Sequence, residues 1–224
     1  MPRVSYQNHL DTLEEDVLYM SELVLDRLRV ALTALEQTDE SLAREVINGD
    51  DEINEQYLDL EADCIDLVAL QQPVASDLRF IAASFKIITD LERIADLAVN
   101  LAEYSLTTDR TLLPDVDVQA IGTAVTEMVE DAMLAYADED SERCYSLADR
   151  DDVVDRQCEA ASELVVRDLL GRDETASDVD LEALLADISR LLLTIRDLER
   201  IGDHAVNIAS RSLYMIQNDA DLLY

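Results

Sequence analysis

Four pairs of side chains in this sequence have the chemistry and the spacing to hold a cation. Glu92 and Asp96 stand four residues apart in Asp90-Leu91-Glu92-Arg93-Ile94-Ala95-Asp96, and Glu199 and Asp203 do so in Asp197-Leu198-Glu199-Arg200-Ile201-Gly202-Asp203. Asp50 with Asn54 and Asp151 with Asp155 repeat the spacing. Residues four apart lie on one face of a helix, and clustered carboxylates are the usual ligands of hard cations. If neighbouring helices bring Asp50 and Asn54 against Glu92 and Asp96, and Asp151 and Asp155 against Glu199 and Asp203, each group supplies up to four oxygen donors. Position 54 is an amide, so the second group carries more charge and is expected to hold a cation more tightly. A plainer reading needs no metal: Arg93, Arg196 and Arg200 lie on the same helices and can neutralise the carboxylates.

The two longer stretches are nearly the same stretch. Residues 90–102 and 197–209 are related by a constant offset of 107, and ten of the thirteen positions are identical, the exceptions being 95/202, 97/204 and 101/208. One structural unit used twice is the expectation. On a helical wheel of 3.6 residues per turn, Glu92 borders an apolar stripe that includes Phe85, Ile88, Ala95 and Val99, and Asp96 and Asn100 step outward from it. Glu199, Asp203 and Asn207 take the same steps beside Leu192, Ile195 and Val206. A carboxylate at the edge of a core loses solvation unless a cation lies near it.

The elements that must position these pairs read as helices throughout. Gly numbers only 4 and Pro 3, and aromatic residues are few, a poor supply for strands and turns. Apolar residues at helical spacing predict a first helix from about His9 to Glu36, on Leu13, Val17, Met20, Val24, Leu28, Ala31 and Leu35. A second runs from about Leu42 to Leu70, interrupted at Gly49-Asp50-Asp51 and ended by Gln71-Gln72-Pro73. The third, capped by Ser76 or Asp77, carries the first motif to about Leu106. A linker over 107–117 contains Pro114. Three more helices follow, over about Val118–Ala137, Glu142–Leu170 and Leu181–Ile216, with a polar loop from Gly171 to Asp180. The turn at 138–141 repeats the turn at 37–40 with an offset of 101. The fold class is therefore all-α, with two tandem three-helix bundles over 1–106 and 118–224.

Composition excludes several functions. With 51 acidic against 17 basic residues, the chain carries a net charge of −34. Such a surface repels nucleic-acid phosphates and anionic lipid, so no nucleic acid is expected as a partner. Lys86 is the single lysine, and dense carboxylates with Arg in place of Lys are the composition of a high-salt cytoplasm. No apolar run reaches the ~18 residues of a membrane span, and the amino terminus lacks the apolar core of a secretory signal. Cys64, Cys144 and Cys158 have no CxxC or Cys/His spacing and read as reduced, buried thiols.

The motifs together resemble the PhoU family of phosphate-signalling regulators. The resemblance rests on Gly49-Asp50-Asp51-Glu52-Ile53-Asn54, on Leu70-Gln71-Gln72-Pro73-Val74-Ala75-Ser76-Asp77-Leu78-Arg79, and on the two motif copies, in this order and over nearly the whole chain. It implies a cytoplasmic protein, peripheral to the membrane, that restrains phosphate uptake and phosphate-starvation signalling. It would act by contact with the ATPase subunit of a phosphate ABC transporter and with a sensor histidine kinase. The family's metal clusters, of iron or zinc, imply divalent or trivalent ions at Asp50, Asn54, Glu92 and Asp96 and at Asp151, Asp155, Glu199 and Asp203. The sequence departs from the family pattern in Asn54 for an acid, in Ala95 for glycine, and in a second half without the Gln-Pro-to-Arg run. Exposed helix faces leave room for a homodimer.

Two other readings are weaker. A di-iron oxidase needs Glu-x-x-His on two helices, and neither His9 nor His204 has a Glu three residues before it. His204 lies about 140° from Glu199 on the wheel and is left out of the site. No P-loop, Gly-x-Gly-x-x-Gly or Gly-x-Ser-x-Gly string supports nucleotide turnover or nucleophilic hydrolysis, so the chain is expected not to be an enzyme. The remaining rival keeps the fold and drops the metal, leaving an adapter whose acidic faces serve solvation alone.

Overall fold

The structure is a computed structural model that describes residues 3–71, 73–106, 116–171, 181–219 and 222. Helices α1 (Arg3–Gln37), α2 (Glu40–Asn48), α3 (Asp50–Gln71) and α4 (Ala75–Ser105) form the first half, and α5 (Val118–Ala137), α6 (Ser141–Gly171) and α7 (Leu181–Gln217) the second. No strand occurs among the described residues, and the six expected helices are all present, the second divided at Gly49 into α2 and α3. Most of the expected linker, 107–115, and the loop at 172–180 lie outside the described residues. Among the described residues no helix is long and apolar enough to cross a membrane.

The repeat extends to atomic detail in the turns. Thr38 and Glu139 have positive φ, 55° and 52°, and each precedes an aspartate that caps the next helix. Asp39 accepts from the amides of Ser41 and Leu42, at 2.8 and 3.2 Å, and Asp140 accepts from those of Glu142 and Arg143, at 3.0 and 3.1 Å. Each cap satisfies amides that the first helical turn leaves without a partner. The expected caps of the third helix are displaced: the N-cap position of α4 is Val74, which makes no side-chain cap bond, and Ser76 and Asp77 fall within its first turn.

The halves differ at the break. Gly49 ends α2, and an added Cβ there would stand 1.6 Å from Arg27 Nη1. The Arg27 guanidinium fills that space from α1 and donates to the carbonyls of Glu45 and Val46 at 3.2 and 3.4 Å. In the second half the position 101 residues on is Arg150, and α6 runs through it without a break. Arg150 reaches back to Asp131 and Glu127 of α5. The same junction between helices is thus closed from opposite sides.

The two bundles are not independent bodies. Helix α1 packs on α4, α4 on α7, α7 on α5 and α5 on α1, a closed ring of four, with α2 and α3 outside α1 and α4 and α6 outside α5 and α7. One continuous core runs through all of them, from Val17, Met20 and Leu28 through Ile87, Leu91 and Ile94 to Val125, Val129, Leu198 and Ile201. Burying each such side chain contributes about 1.5–3 kcal/mol. The halves also meet in a stack of Phe80 on Tyr136, whose ring centroids are 6.1 Å apart, and in a 2.8 Å hydrogen bond between Ser84 Oγ and the Tyr136 hydroxyl.

Candidate functional site

Helices α4 and α7 pack antiparallel as neighbours in the ring, and each motif copy points one face inward and one outward. Asp197 shows why. It is fully buried, accepts from the Tyr104 hydroxyl of α4 at 3.0 Å, and receives the Arg196 guanidinium at 2.7 Å with Arg200 at 3.9 Å. Its first-half counterpart Asp90 lies 2.8 Å from His204 Nδ1 and accepts from Asn207 Nδ2 at 3.4 Å, both on α7. The paired aspartates therefore join the halves. Both head the motif in the sequence, but only the packing of α4 on α7 gives them a role.

Glu199 and Asp203, on the outward side of α7, face Asp151 and Asp155 of α6. The approach is close because Gly202 has no side chain: a Cβ there would lie 3.2 Å from Asp151 Oδ1 and 3.7 Å from Val154 Cγ1. Asp151 Oδ1 is buried and has no hydrogen-bond partner. Burial, with the charges of Asp155, Asp203, Asp152 and Glu199, pushes the Asp151 carboxyl up to about 6. Burial and then Asp155 raise both Glu199 and Asp203, although His204 and Arg200 moderate Asp203. The buried thiol of Cys158 is pushed up to about 12, chiefly by burial and then by Glu199, Asp155, Asp151 and Asp203. Arg196 and Arg200, the expected neutralising partners, bind Asp197 instead. This group holds mutually repelling carboxylates and an unsatisfied oxygen.

The first group is arranged differently. Asn54 Nδ2 donates to Asp50 Oδ2 at 2.8 Å. Arg93 bridges Glu92 at 3.5 Å and Asp96 at 3.2 Å. Burial and the neighbouring Asp96 raise the Glu92 carboxyl, Arg93 opposes them, and the charge of Asp50 reaches it from α3. Both groups are therefore assembled from neighbouring helices, but only the first has its carboxylates capped by an arginine and an amide. Among the described residues no three His, Cys, Asp or Glu side chains already converge on a point one ion could occupy. Asp155 and Asp203 are exposed and able to turn. The donor chemistry and the orphaned Asp151 oxygen of the second group fit a hard cation, and the first group does not.

His204, set aside on the wheel, points away from the second acidic group and binds Asp90 across the ring. Cys64, Cys144 and Cys158 are all buried and free, as their spacing suggests.

The PhoU domain model matches residues 17–105 and again 118–212. The chain belongs to the PhoU family. The protein named phosphate-specific transport system accessory protein PhoU homolog in Pseudomonas aeruginosa is 32% identical over 215 residues, 95% of this chain and 85% of the relative. The one so named in Clostridium acetobutylicum is 31% identical over 220 residues, 96% of each. Two solved structures share the PhoU fold. PhoU from Pseudomonas aeruginosa superposes with a TM-score of 0.84 at 32% identity, covering 96% of this chain and all of that one. The phosphate transport system regulatory protein PhoU from Streptococcus pneumoniae gives 0.87 at 26%, covering 96% and 98%. The matched segments stop at the junction between α4 and α5, so each half of the ring is one PhoU domain.

Proposed function

We propose that this chain is a non-catalytic, cytoplasmic regulator of phosphate transport. It restrains uptake and starvation signalling by contact with the ATPase subunit of a phosphate ABC transporter and with a sensor histidine kinase. The observation that carries the reading is the PhoU domain matched twice, over nearly the whole chain, in company with relatives named as accessory proteins of phosphate-specific transport. The net charge of −34 supports a high-salt setting and argues against direct binding to lipid or nucleic acid. Deleting the gene is expected to derepress phosphate-uptake genes in phosphate-rich medium, and unchanged expression there would overturn the reading. A pulldown at high salt that fails to recover the ATPase subunit would remove the transporter contact. Light scattering at high salt reads the expected homodimer.

The second acidic group is the part of the molecule proposed to hold a divalent or trivalent ion, iron or zinc by family resemblance. Such an ion would neutralise the carboxylates of Asp151, Asp155, Glu199 and Asp203 and tie α6 to α7. Metal analysis of untagged protein purified without chelator tests this: bound metal lost on Glu199→Ala with Asp203→Ala supports the site. A metal-free adapter is the second reading, favoured by the absence of three converged ligands among the described residues. Metal absent from the purified protein, or unchanged in the double variant, selects it.

A further inference from the structure

The two motif copies share Asp-Leu-Glu-Arg-Ile, yet their arginines have gone to different places, and the few positions that differ account for it. In the second half, Tyr104 donates to Oδ2 of the buried Asp197, Arg196 binds its Oδ1, and Arg200 lies 3.9 Å from that Oδ1. That leaves no ion pair from Arg196 or Arg200 across Glu199 and Asp203, although Arg200 lies near enough to moderate Asp203. In the first half, position 89 is Thr where the second has Arg196. Asp90 is satisfied instead by His204 and Asn207 from α7. Nothing draws Arg93 inward, and it lies across Glu92 and Asp96.

The remaining carboxylate of that group is also occupied, since Asp50 accepts from the Asn54 amide at 2.8 Å. Position 95 carries a methyl group where Gly202 has none, and it is the missing Cβ at 202 that lets Asp151 Oδ1 approach α7 so closely. Four positions therefore distinguish the first group: an amide stands at 54 for the carboxylate of Asp155, Thr89 for Arg196, Ala95 for Gly202, and Leu97 where His204 of the other copy reaches Asp90.

We infer that the first acidic group is not a metal site: the Arg93 guanidinium and the Asn54 amide take the place of a cation there, and metal binding is confined to the second half. This rests on the proposal of a metal at the second group for half of its content, and the test separates the two. A guanidinium carries one positive charge and five donors, enough to bridge two carboxylates but without the open coordination positions that let an ion recruit a third. The carboxylates of the first group are then neutralised by Arg93 without a metal ion. The second is left dependent on what it binds.

Zn2+ alone is the probe, measured by equilibrium dialysis and elemental analysis on the full chain, at high KCl with excess Mg2+ to occupy non-specific carboxylates. Four proteins are compared: the unaltered chain, Glu92→Gln with Asp96→Asn, Glu199→Gln with Asp203→Asn, and the triple variant Asn54→Asp, Arg93→Gln, Ala95→Gly. The first double variant is expected to retain all the zinc of the unaltered chain and the second to lose it. The triple variant is expected to take up at least one further equivalent. Loss of zinc in the Glu92/Asp96 variant overturns the inference, as does a folded triple variant that gains none. If the unaltered chain takes up no zinc, the proposed metal at the second group fails. The triple variant still decides the first: gain supports the inference, and no gain overturns the assignment of Arg93 and Asn54 as the groups that take the cation's place. Circular dichroism of each variant confirms the helical fold.

Discussion

Asp151 is a carboxyl whose ionisation is opposed by burial and by four neighbouring acids. Its folded value of about 6 stands above the ordinary aspartate value near 3.9 of an unfolded chain. Between those values the folded state binds more protons than the unfolded one, so stability falls as pH rises from about 4 to about 6. In chelator, the melting temperature of the chain is expected to be higher at pH 5 than at pH 7, and Asp151→Asn to raise it at pH 7 and flatten the slope. An identical slope in the variant would show that Asp151 is not the group responsible. Asp197 is a buried carboxylate with its hydrogen-bond partners in place. Asp197→Ala removes the hydrogen bonds from Tyr104 and Arg196 and is expected to cost about 1–3 kcal/mol in chemical denaturation. The exposed Asp59→Ala should change it by less than about 0.5 kcal/mol.

At the scale of elements, the junction at residue 49 is a contact between helices written into single positions. Gly49 is needed because the Arg27 guanidinium fills the space a side chain would take. Its φ of −90° is open to any residue. Alanine there pushes Arg27 off the carbonyls of Glu45 and Val46 and off Glu52, leaving those carbonyls only the backbone N–H of residue 49. Gly49→Ala and Arg27→Ala are each expected to cost about 1 kcal/mol, and in the double variant the second change should add almost nothing. Additive losses in urea titration would mean that the two side chains act separately. Arg150, at the matching place on α6, removes both the need for glycine and the break.

At the scale of the molecule, the closed ring of α1, α4, α7 and α5 means that neither half covers its own core. Ile87, Leu91 and Ile94 of one domain belong to the same cluster as Leu198, Ile201 and Val129 of the other. A single cooperative unfolding transition is expected at high KCl, and segments 1–106 and 118–224 expressed apart should be poorly folded until mixed. Two separated transitions, or a fully folded isolated half, would show independent domains. The net charge adds a salt dependence, since self-repulsion weakens the compact state and the Debye length falls from about 10 Å at 0.1 M to about 3 Å at 1 M.

What the sequence by itself determined was everything that local periodicity controls. The helices, the repeat, the matching turns before Asp39 and Asp140, and the helix faces of Glu92 and Glu199 all follow from a 3.6-residue period and from short-range caps. Tertiary structure alone decided the rest, because it depends on which helices meet. The Asp90–His204 and Tyr104–Asp197 bonds join residues about a hundred apart in the chain, where no local pattern relates one partner to the other. The same reason governs the acidic groups. Two identical Asp-Leu-Glu-Arg runs place their carboxylates alike, but the destination of each arginine is set by the helix packed against it. That packing turns Arg196 and Arg200 toward Asp197 and leaves Arg93 across Glu92 and Asp96.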